Sequence, residues 1–303
     1  MVEGQLVPSR GMRNGPAVRR RRRWPWSRTG ERDIAGVPRR ATLLDPDLQA
    51  RFERDGFVVV DILEPETVAE LRRRHAQMDH ERRTEWPWVE GFSTSVYDPR
   101  PEYRTAVLQL MDQHVAPALA GVLDDHQVIW ANFLVKQPDA DSVPPHVDWT
   151  FLDEDTFSSV TVWCPLSDTT ATNGTLGVVR GSHRRIDFPR AANVPAYERC
   201  ERVVEDLADR PVIPVRAGQA IIMDNRSVHF STPNDTPEER VVVGCVLAPR
   251  EAELHHYWSD EDGTLLRFAI DRSFYLSYVI GEPPAAAGGV LHVEPVGKAA
   301  TIA

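Results

Sequence analysis

The chain has 303 residues, 42% of them apolar and 26% charged, a balance that suits a globular protein with a full core. No run of eighteen apolar residues occurs, so no membrane-spanning helix is expected. The net charge of −10 hides an asymmetry: residues 1–40 carry eleven arginines against three acids. The remainder is therefore strongly acidic and offers no cationic face for a phosphate backbone, so nucleic acid is not an expected partner.

The arm over 1–40 has four prolines, the Arg19 to Arg23 run and almost no periodic apolar residues. It is expected to be solvated, disordered and dispensable for catalysis. No apolar segment follows the arginines before Trp24-Pro25-Trp26, which argues against a secretory signal; a transit peptide is the alternative reading of such a leader. The main domain is expected over 41–282. Asp45 or Asp47 caps a short helix to Asp55, closed by Gly56, and 57–60 is a buried strand. Pro65 opens a helix through about Arg83. Val107, Leu108, Met111, Val115, Leu119 and Val122 recur at three-to-four spacing and predict one amphipathic helix over 101–122.

From Gln127 the pattern changes to short apolar runs. Strands are predicted at 128–135, 159–164, 175–179, 212–215, 219–223 and 241–248, with closing strands near 266–270 and 274–280. Asn173-Gly174 marks a tight turn between two of them. The tail over 283–303, with Pro283-Pro284 and Gly288-Gly289, reads as flexible. Strands spaced without helices between them exclude a βαβ layout. The predicted fold is α+β, mainly β: a double-stranded β-helix, a jelly-roll or cupin-like barrel, flanked by N-terminal helices. Cys164, Cys200 and Cys245 are odd in number and far apart. They give neither a disulfide framework nor a metal pair, so a reducing, cytoplasmic setting is expected.

In the strand-rich region His146-Val147-Asp148 has a histidine and a carboxylate two residues apart, which on a strand share a face. His229 lies where the 219–223 strand runs into a polar turn, and Arg240 opens the next strand. Two imidazoles and one carboxylate can hold Fe(II) and leave adjacent positions open, while the lack of thiolate argues against structural zinc. Arg240 is placed for a forked bond to a dicarboxylate. His292-Val293-Glu294 repeats the spacing but has nothing downstream to complete a site. His183, beside Gly181, reads as structural. His255 and His256 are adjacent and would face opposite ways on a strand, so they cannot share a metal; either could line a pocket.

The segment from about Phe52 to Leu247 resembles the phytanoyl-CoA dioxygenase (PhyH-like) family of Fe(II)/2-oxoglutarate-dependent oxygenases. The motifs that carry the resemblance run from Phe52-Glu53-Arg54-Asp55-Gly56-Phe57-Val58-Val59 and Lys136-Gln137-Pro138 to His146-Val147-Asp148 and Val162-Trp163-Cys164-Pro165-Leu166. They continue through Asn173-Gly174-Thr175-Leu176 and Gly181-Ser182-His183-Arg184 to His229-Phe230-Ser231 with Arg240. The resemblance implies iron on His146, Asp148 and His229, and 2-oxoglutarate on Arg240 with Ser231, Trp163 and Asn132. Thr175 and Lys136 are weaker candidates for the same pocket. A carboxylate at Asp148 implies hydroxylation-type chemistry with O2, and not halogenation. Phe230 departs from the glycine that the family often has after the distal histidine.

The implied function is hydroxylation of a small or carrier-bound substrate in specialised metabolism, by a monomer or homodimer, with release of succinate and CO2. Desaturation, epimerisation or oxidative cyclisation at the same centre is one alternative, and an inactive barrel acting as a binding protein is another. Trp86, Trp88, Phe92, Tyr97, Trp149, Phe151 and His255 are candidates for the substrate pocket.

Overall fold

The computed structural model describes residues 39–78, 89–194 and 197–298. Helix α1 (Pro46–Asp55) starts where the Asp45 carboxylate accepts from the N–H groups of Asp47 and Leu48. It ends at Gly56, whose φ of 85° turns the chain into β1 (Phe57–Asp61). Next come α2 (Pro65–Gln77), β2 (Phe92–Thr94), α3 (Pro101–His114) and α4 (Ala116–Leu119). The single helix predicted over 101–122 is broken at Val115. Pro117 has no N–H for the carbonyl of Gln113 and its ring crowds that carbonyl, so the chain restarts as α4. Helix α2 stops at Gln77, short of the predicted Arg83, and residues 79–88 lie outside the described part.

The barrel strands are β3 (His126–Lys136), β4 (Val143–His146), β5 (Val160–Pro165), β6 (Leu176–Val178), β7 (Gln219–Asp224), β8 (His229–Ser231) and β9 (Arg240–Pro249), with α5 (Tyr197–Asp206) between β6 and β7. A six-stranded sheet of order β1-β7-β5-β9-β3-β2 is joined by a three-stranded sheet, β4-β8-β6, and all pairings in both are antiparallel. This is the predicted jelly roll.

The large sheet is buried on both faces, which is why its strands read as continuous apolar runs and not as alternation. One set of side chains (Val58, Phe133, Val162, Ile222, Val243, Cys245 and Leu247) packs with Leu71 of α2 and Val107 and Met111 of α3. The alternate set faces the barrel interior: Phe57, Trp163, Ile221, Met223 and Val242 cluster there with Leu176 and Val178 of the small sheet. The period of two therefore sends every second residue of β9, beginning with Arg240, inward.

A third sheet, β10 (Leu254–Ser259), β11 (Thr264–Ile270) and β12 (Val290–Lys298), closes the chain. Here the structure departs from the sequence reading. The flexible tail expected over 283–303 instead supplies β12, paired with β11 from Thr264↔Lys298 to Ile270↔Val290. The strand expected at 274–280 is a short helix, α6 (Phe274–Ser277). Phe274 and Tyr278 stack at 4.8 Å and both pack on His256, so helical i,i+4 spacing wins over the β preference of the aromatics. The run at 212–215 makes only an isolated bridge, Gly177↔Val212. The boundary placed at 40/41 falls too late: Arg40 pairs with Glu251 at 2.6 Å and donates to the Asp124 carbonyl at 2.9 Å. Residues 1–38 of the arm lie outside the described residues. All three cysteines are free and buried, with thiols pushed up, Cys164 and Cys200 to about 12.

Gly56 anchors the entry to the barrel. A Cβ there would lie 2.5 Å from His183 Nδ1 and 2.7 Å from Ser227 Oγ. His183 is buried, with Nε2 3.0 Å from the Glu53 carbonyl, and burial pulls its pKa down to about 4, so it is a neutral structural residue as expected. Gly56→Ala is expected to cost about 1–3 kcal/mol in backbone strain alone. The check is the urea midpoint, which should fall with an unchanged slope.

Candidate metal centre and dicarboxylate pocket

Strands β4 and β8 meet with His146 directly opposite His229, and the two rings lie 4.1 Å apart. Each Nδ1 faces a carbonyl two residues back: His146 that of Pro144 at 2.9 Å, His229 that of Ser227 at 3.0 Å. A carbonyl only accepts, so each Nδ1 carries a proton and each Nε2 is the atom turned to the site. Asp148 lies beyond the end of β4, not on the strand as predicted, because the strand stops at His146. Its Oδ1 still comes within 3.9 Å of His229 Nε2, while Oδ2 accepts from Thr161 Oγ1 at 2.6 Å. Ligand atoms of the three residues all lie within 4.8 Å of one another. Burial, then the neighbouring His229, pull the His146 pKa down to about 4, so its ring is neutral around pH 7. Two imidazole nitrogens and one carboxylate, without thiolate, fit a mononuclear iron(II) ion.

Deeper in the barrel, Lys136 on β3 is directly paired with Arg240 on β9. Directly opposed residues share a face, and like charges there repel. Both side chains are buried, at 0% and 2% exposure. Lys136 Nζ donates to Ser231 Oγ at 2.9 Å and to the Thr232 carbonyl at 2.5 Å. Arg240 stands over the Trp163 ring at 5.4 Å, with Nε and Nη2 lacking any hydrogen-bond partner. Burial pulls Arg240 down to about 9, still cationic at neutral pH. Burial and then Arg240 pull Lys136 down to about 7. Two buried cations, one with orphaned donors, constitute a site for a dianion whose carboxylate matches the guanidinium fork.

The triad and Arg240 open on one cavity of about 500 Å³, and Lys136 meets it only through its hydrogen bond to the lining residue Ser231. Of the residues singled out from sequence, it is lined by His146, Asp148, His229, Arg240, Ser231, Trp163, Asn132, Phe92, Tyr97, Trp149 and Phe151. Asn132 uses its Oδ1 to accept from Thr94 Oγ1 and the Val96 N–H, which leaves its amide NH2 as the remaining polar group. Three expected residues do not line the cavity: Lys136, Thr175 and His255. Thr175 is fully buried, its hydroxyl donating to the Ile213 carbonyl at 2.7 Å and lying 3.0 Å from Thr169 Oγ1, so it ties a loop together. His255 sits on β10 of the third sheet, 3.5 Å from Glu253, and lines no part of it. Trp86 and Trp88 lie outside the described residues. Phe230 both lines the cavity and packs on Gly177, where a Cβ would come within 2.3 Å of its ring. The residue that departs from the family pattern is thus accommodated by a glycine on β6.

Sequence reasoning missed three residues. Thr161 was legible in principle, since it lies two residues before Trp163 and shares its inward face. Trp130 sits on β3 beyond a register shift between Val128 and Trp130, which hides its orientation. Arg190, in a loop, carried no signal. Its buried guanidinium donates to the Asp148 carbonyl at 2.7 Å and the Trp149 carbonyl at 3.3 Å and forks onto Glu154 at 2.7 and 2.5 Å.

The fold and the cavity define a jelly-roll protein built to hold a metal ion beside a dicarboxylate. The chain belongs to the phytanoyl-CoA dioxygenase (PhyH) family, whose sequence model matches residues 52–242. Phytanoyl-CoA dioxygenase 1 of Oryza sativa subsp. japonica is 31% identical over 124 residues, 37% of this chain and 41% of that protein. The match thus spans about two-fifths of that relative's length. Similar solved structures include the non-heme alpha ketoglutarate dependent carbocyclase SnoK from nogalamycin biosynthesis (23% identity, TM-score 0.53, 70% of this chain and 86% of that one). The epimerase SnoN in complex with Fe3+, alpha ketoglutarate and nogalamycin RO shares 22% identity at TM-score 0.55 (81% and 94%). EctD from S. alaskensis with 2-oxoglutarate and 5-hydroxyectoine shares 21% at TM-score 0.50 (70% and 78%). At these identities the likeness is one of fold.

Two predictions test this geometry. In the free protein Lys136 loses its proton near pH 7, far below the 10.5 of an exposed lysine, so binding of a dicarboxylate above pH 7 must take up a proton. Dicarboxylate affinity, followed by calorimetry, is expected to be flat below about pH 7 and to fall as pH rises past it; Lys136→Met should be weaker and flat throughout. Arg190→Met would strand the Glu154 carboxylate and is expected to cost about 3–5 kcal/mol of stability. Denaturant titration checks that, and the variant should also lose metal affinity because Asp148 is no longer held.

Proposed function

We propose that the protein is an Fe(II)- and 2-oxoglutarate-dependent oxygenase that hydroxylates an unactivated C–H bond of a small organic substrate, with release of succinate and CO2. The observation that carries this reading is the buried guanidinium of Arg240, with two donors unused and no ion-pair partner among the described residues, in the same cavity as His146, Asp148 and His229, with Lys136 behind it. When bound, iron and 2-oxoglutarate supply the oxidative decarboxylation that activates O2 toward a substrate C–H bond. The chain supplies the rest. His146 and His229 would ligate through Nε2 and Asp148 through Oδ1, with Thr161 fixing its other oxygen. Arg240 would take the distal carboxylate with two parallel N–H···O bonds, and Lys136 with Ser231 would complete the neutralisation. The Trp163 ring keeps the guanidinium from swinging, and the apolar walls exclude bulk water from the reacting centre. The carboxylate at position 148 counts against halogenation, in which halide would take that place.

Anaerobic addition of Fe(II) and then 2-oxoglutarate should give a metal-to-ligand charge-transfer band, and O2 with a substrate panel should give succinate and a product heavier by one oxygen atom. His229→Ala is expected to abolish both. Arg240→Lys keeps the charge but loses the fork, so apparent affinity for 2-oxoglutarate should fall at least tenfold, about 1.4 kcal/mol. Full turnover in His229→Ala, or an unchanged KM for 2-oxoglutarate in Arg240→Lys, would refute the assignment.

A further inference from the structure

The geometry points to a neutral, ring-bearing substrate: a planar, largely apolar molecule of a few rings, with no carboxylate, phosphate or ammonium group inside the cavity. This inference rests on the oxygenase reading and names the substrate class of the same site.

The first observation is the wall beside the metal. Trp149 is the residue after the ligand Asp148, and with Trp130 and Phe151 it lines the cavity. These rings are fixed before any ligand arrives. Trp130 stacks on Tyr275 at 5.0 Å and 14°, leans on Trp149 at 5.0 Å and 36°, and meets Phe151 edge-on at 5.9 Å. Immobile flat faces accept a second flat face at little cost in side-chain entropy, whereas a flexible acyl chain would lose its own freedom against them. Tyr97 and Ile280 extend the apolar lining.

The second observation is the charge inventory. Outside the metal triad, the charged side chains that line the cavity among the described residues are Arg240 and Arg190. Arg240 is committed to the co-substrate. Arg190 is committed to the protein, its guanidinium used by Glu154 and the carbonyls of Asp148, Trp149 and Phe188. An ionic group on the substrate would be desolvated among the described residues without a counter-charge, which is strongly unfavourable. The third observation is size: about 500 Å³ must hold both the dicarboxylate and the substrate. Pockets of about 300–1,000 Å³ take drug-sized molecules, so the remaining space suits a few rings.

The test uses the full chain loaded anaerobically with Fe(II) and 2-oxoglutarate. The charge-transfer band is recorded first, so a failure of the oxygenase reading is seen separately from a failure of this one. Calorimetric titration with xanthone, palmitoyl-CoA and L-leucine then compares a neutral tricycle, a carrier-bound chain and a zwitterion. Xanthone is expected to saturate one site, and the other two neither to bind nor to compete. Trp130→Leu should weaken xanthone at least tenfold while leaving the band intact. If that variant does not fold, Tyr97→Ala is read in its place and should weaken xanthone at least threefold. No saturable binding of xanthone, tighter binding of palmitoyl-CoA or L-leucine, or unchanged xanthone affinity in the folded variants would overturn the proposal.

Discussion

The register of β9 is the constraint on which the site depends. Held between β5 and β3, β9 places Arg240 opposite Lys136, and Gly244 opposite both Asn132 and Trp163. A slip of one residue would turn Arg240 out among the apolar residues that pack on α2 and α3, and bring Val241 inward in its place. The register is safe because both faces of β9 are buried, so any slip would expose or strand residues on two sides at once. The repulsion between Lys136 and Arg240 is the cost of that arrangement in the free protein. It is tolerated because the surrounding apolar ladder over-determines the strand, and an anionic ligand converts the cost into affinity.

The metal centre obeys a related logic with a different device. Its histidines are oriented by hydrogen bonds from Nδ1 to carbonyls of their own strands and turns, at Pro144 and Ser227. Each ring is thus aimed by local backbone, and β4–β8 pairing only has to bring the two together. The third ligand lies past the strand end and needs outside support: Thr161 from the large sheet holds its side chain, and Arg190 holds its carbonyl. The same Arg190 also holds the carbonyl of Trp149, so Asp148 and the neighbouring aromatic wall are clamped by one buried guanidinium.

Much of the barrel was legible because the large sheet is buried on both faces, and continuous apolar runs such as 128–135 and 241–248 announce strands of that kind. What escaped had a physical reason in each case. Strand β4 contains Pro144 and Pro145, which signal against a strand; it is an edge of the small sheet, where missing donors do no harm. Strand β12 has Leu291, Val293 and Val296 exposed and includes Pro295 and Gly297, so its composition reads as a tail although its backbone completes a ladder. The 274–280 segment is aromatic and reads as β by propensity, but tertiary packing around His256 decided for a helix. In the site, the candidate triad stands out by residue type, and the structure brings its ligand atoms within 4.8 Å of one another. Thr175 and His255 were misplaced because type says nothing about which way a buried side chain faces.

Lys136 shows how far residue type can mislead when taken without geometry. A lysine ending an apolar strand usually reaches solvent with its ammonium. Here Gly174 leaves room for the stem, since a Cβ at that position would lie 2.8 Å from Lys136 Cδ, and the ammonium is turned onto Ser231 and the Thr232 carbonyl. Ser231 is two residues after His229 on β8, so it leaves the same face as the metal ligand. One hydrogen bond therefore ties the cation pocket to the strand that carries the distal histidine. The two halves of the site are thus joined through the three residues of β8.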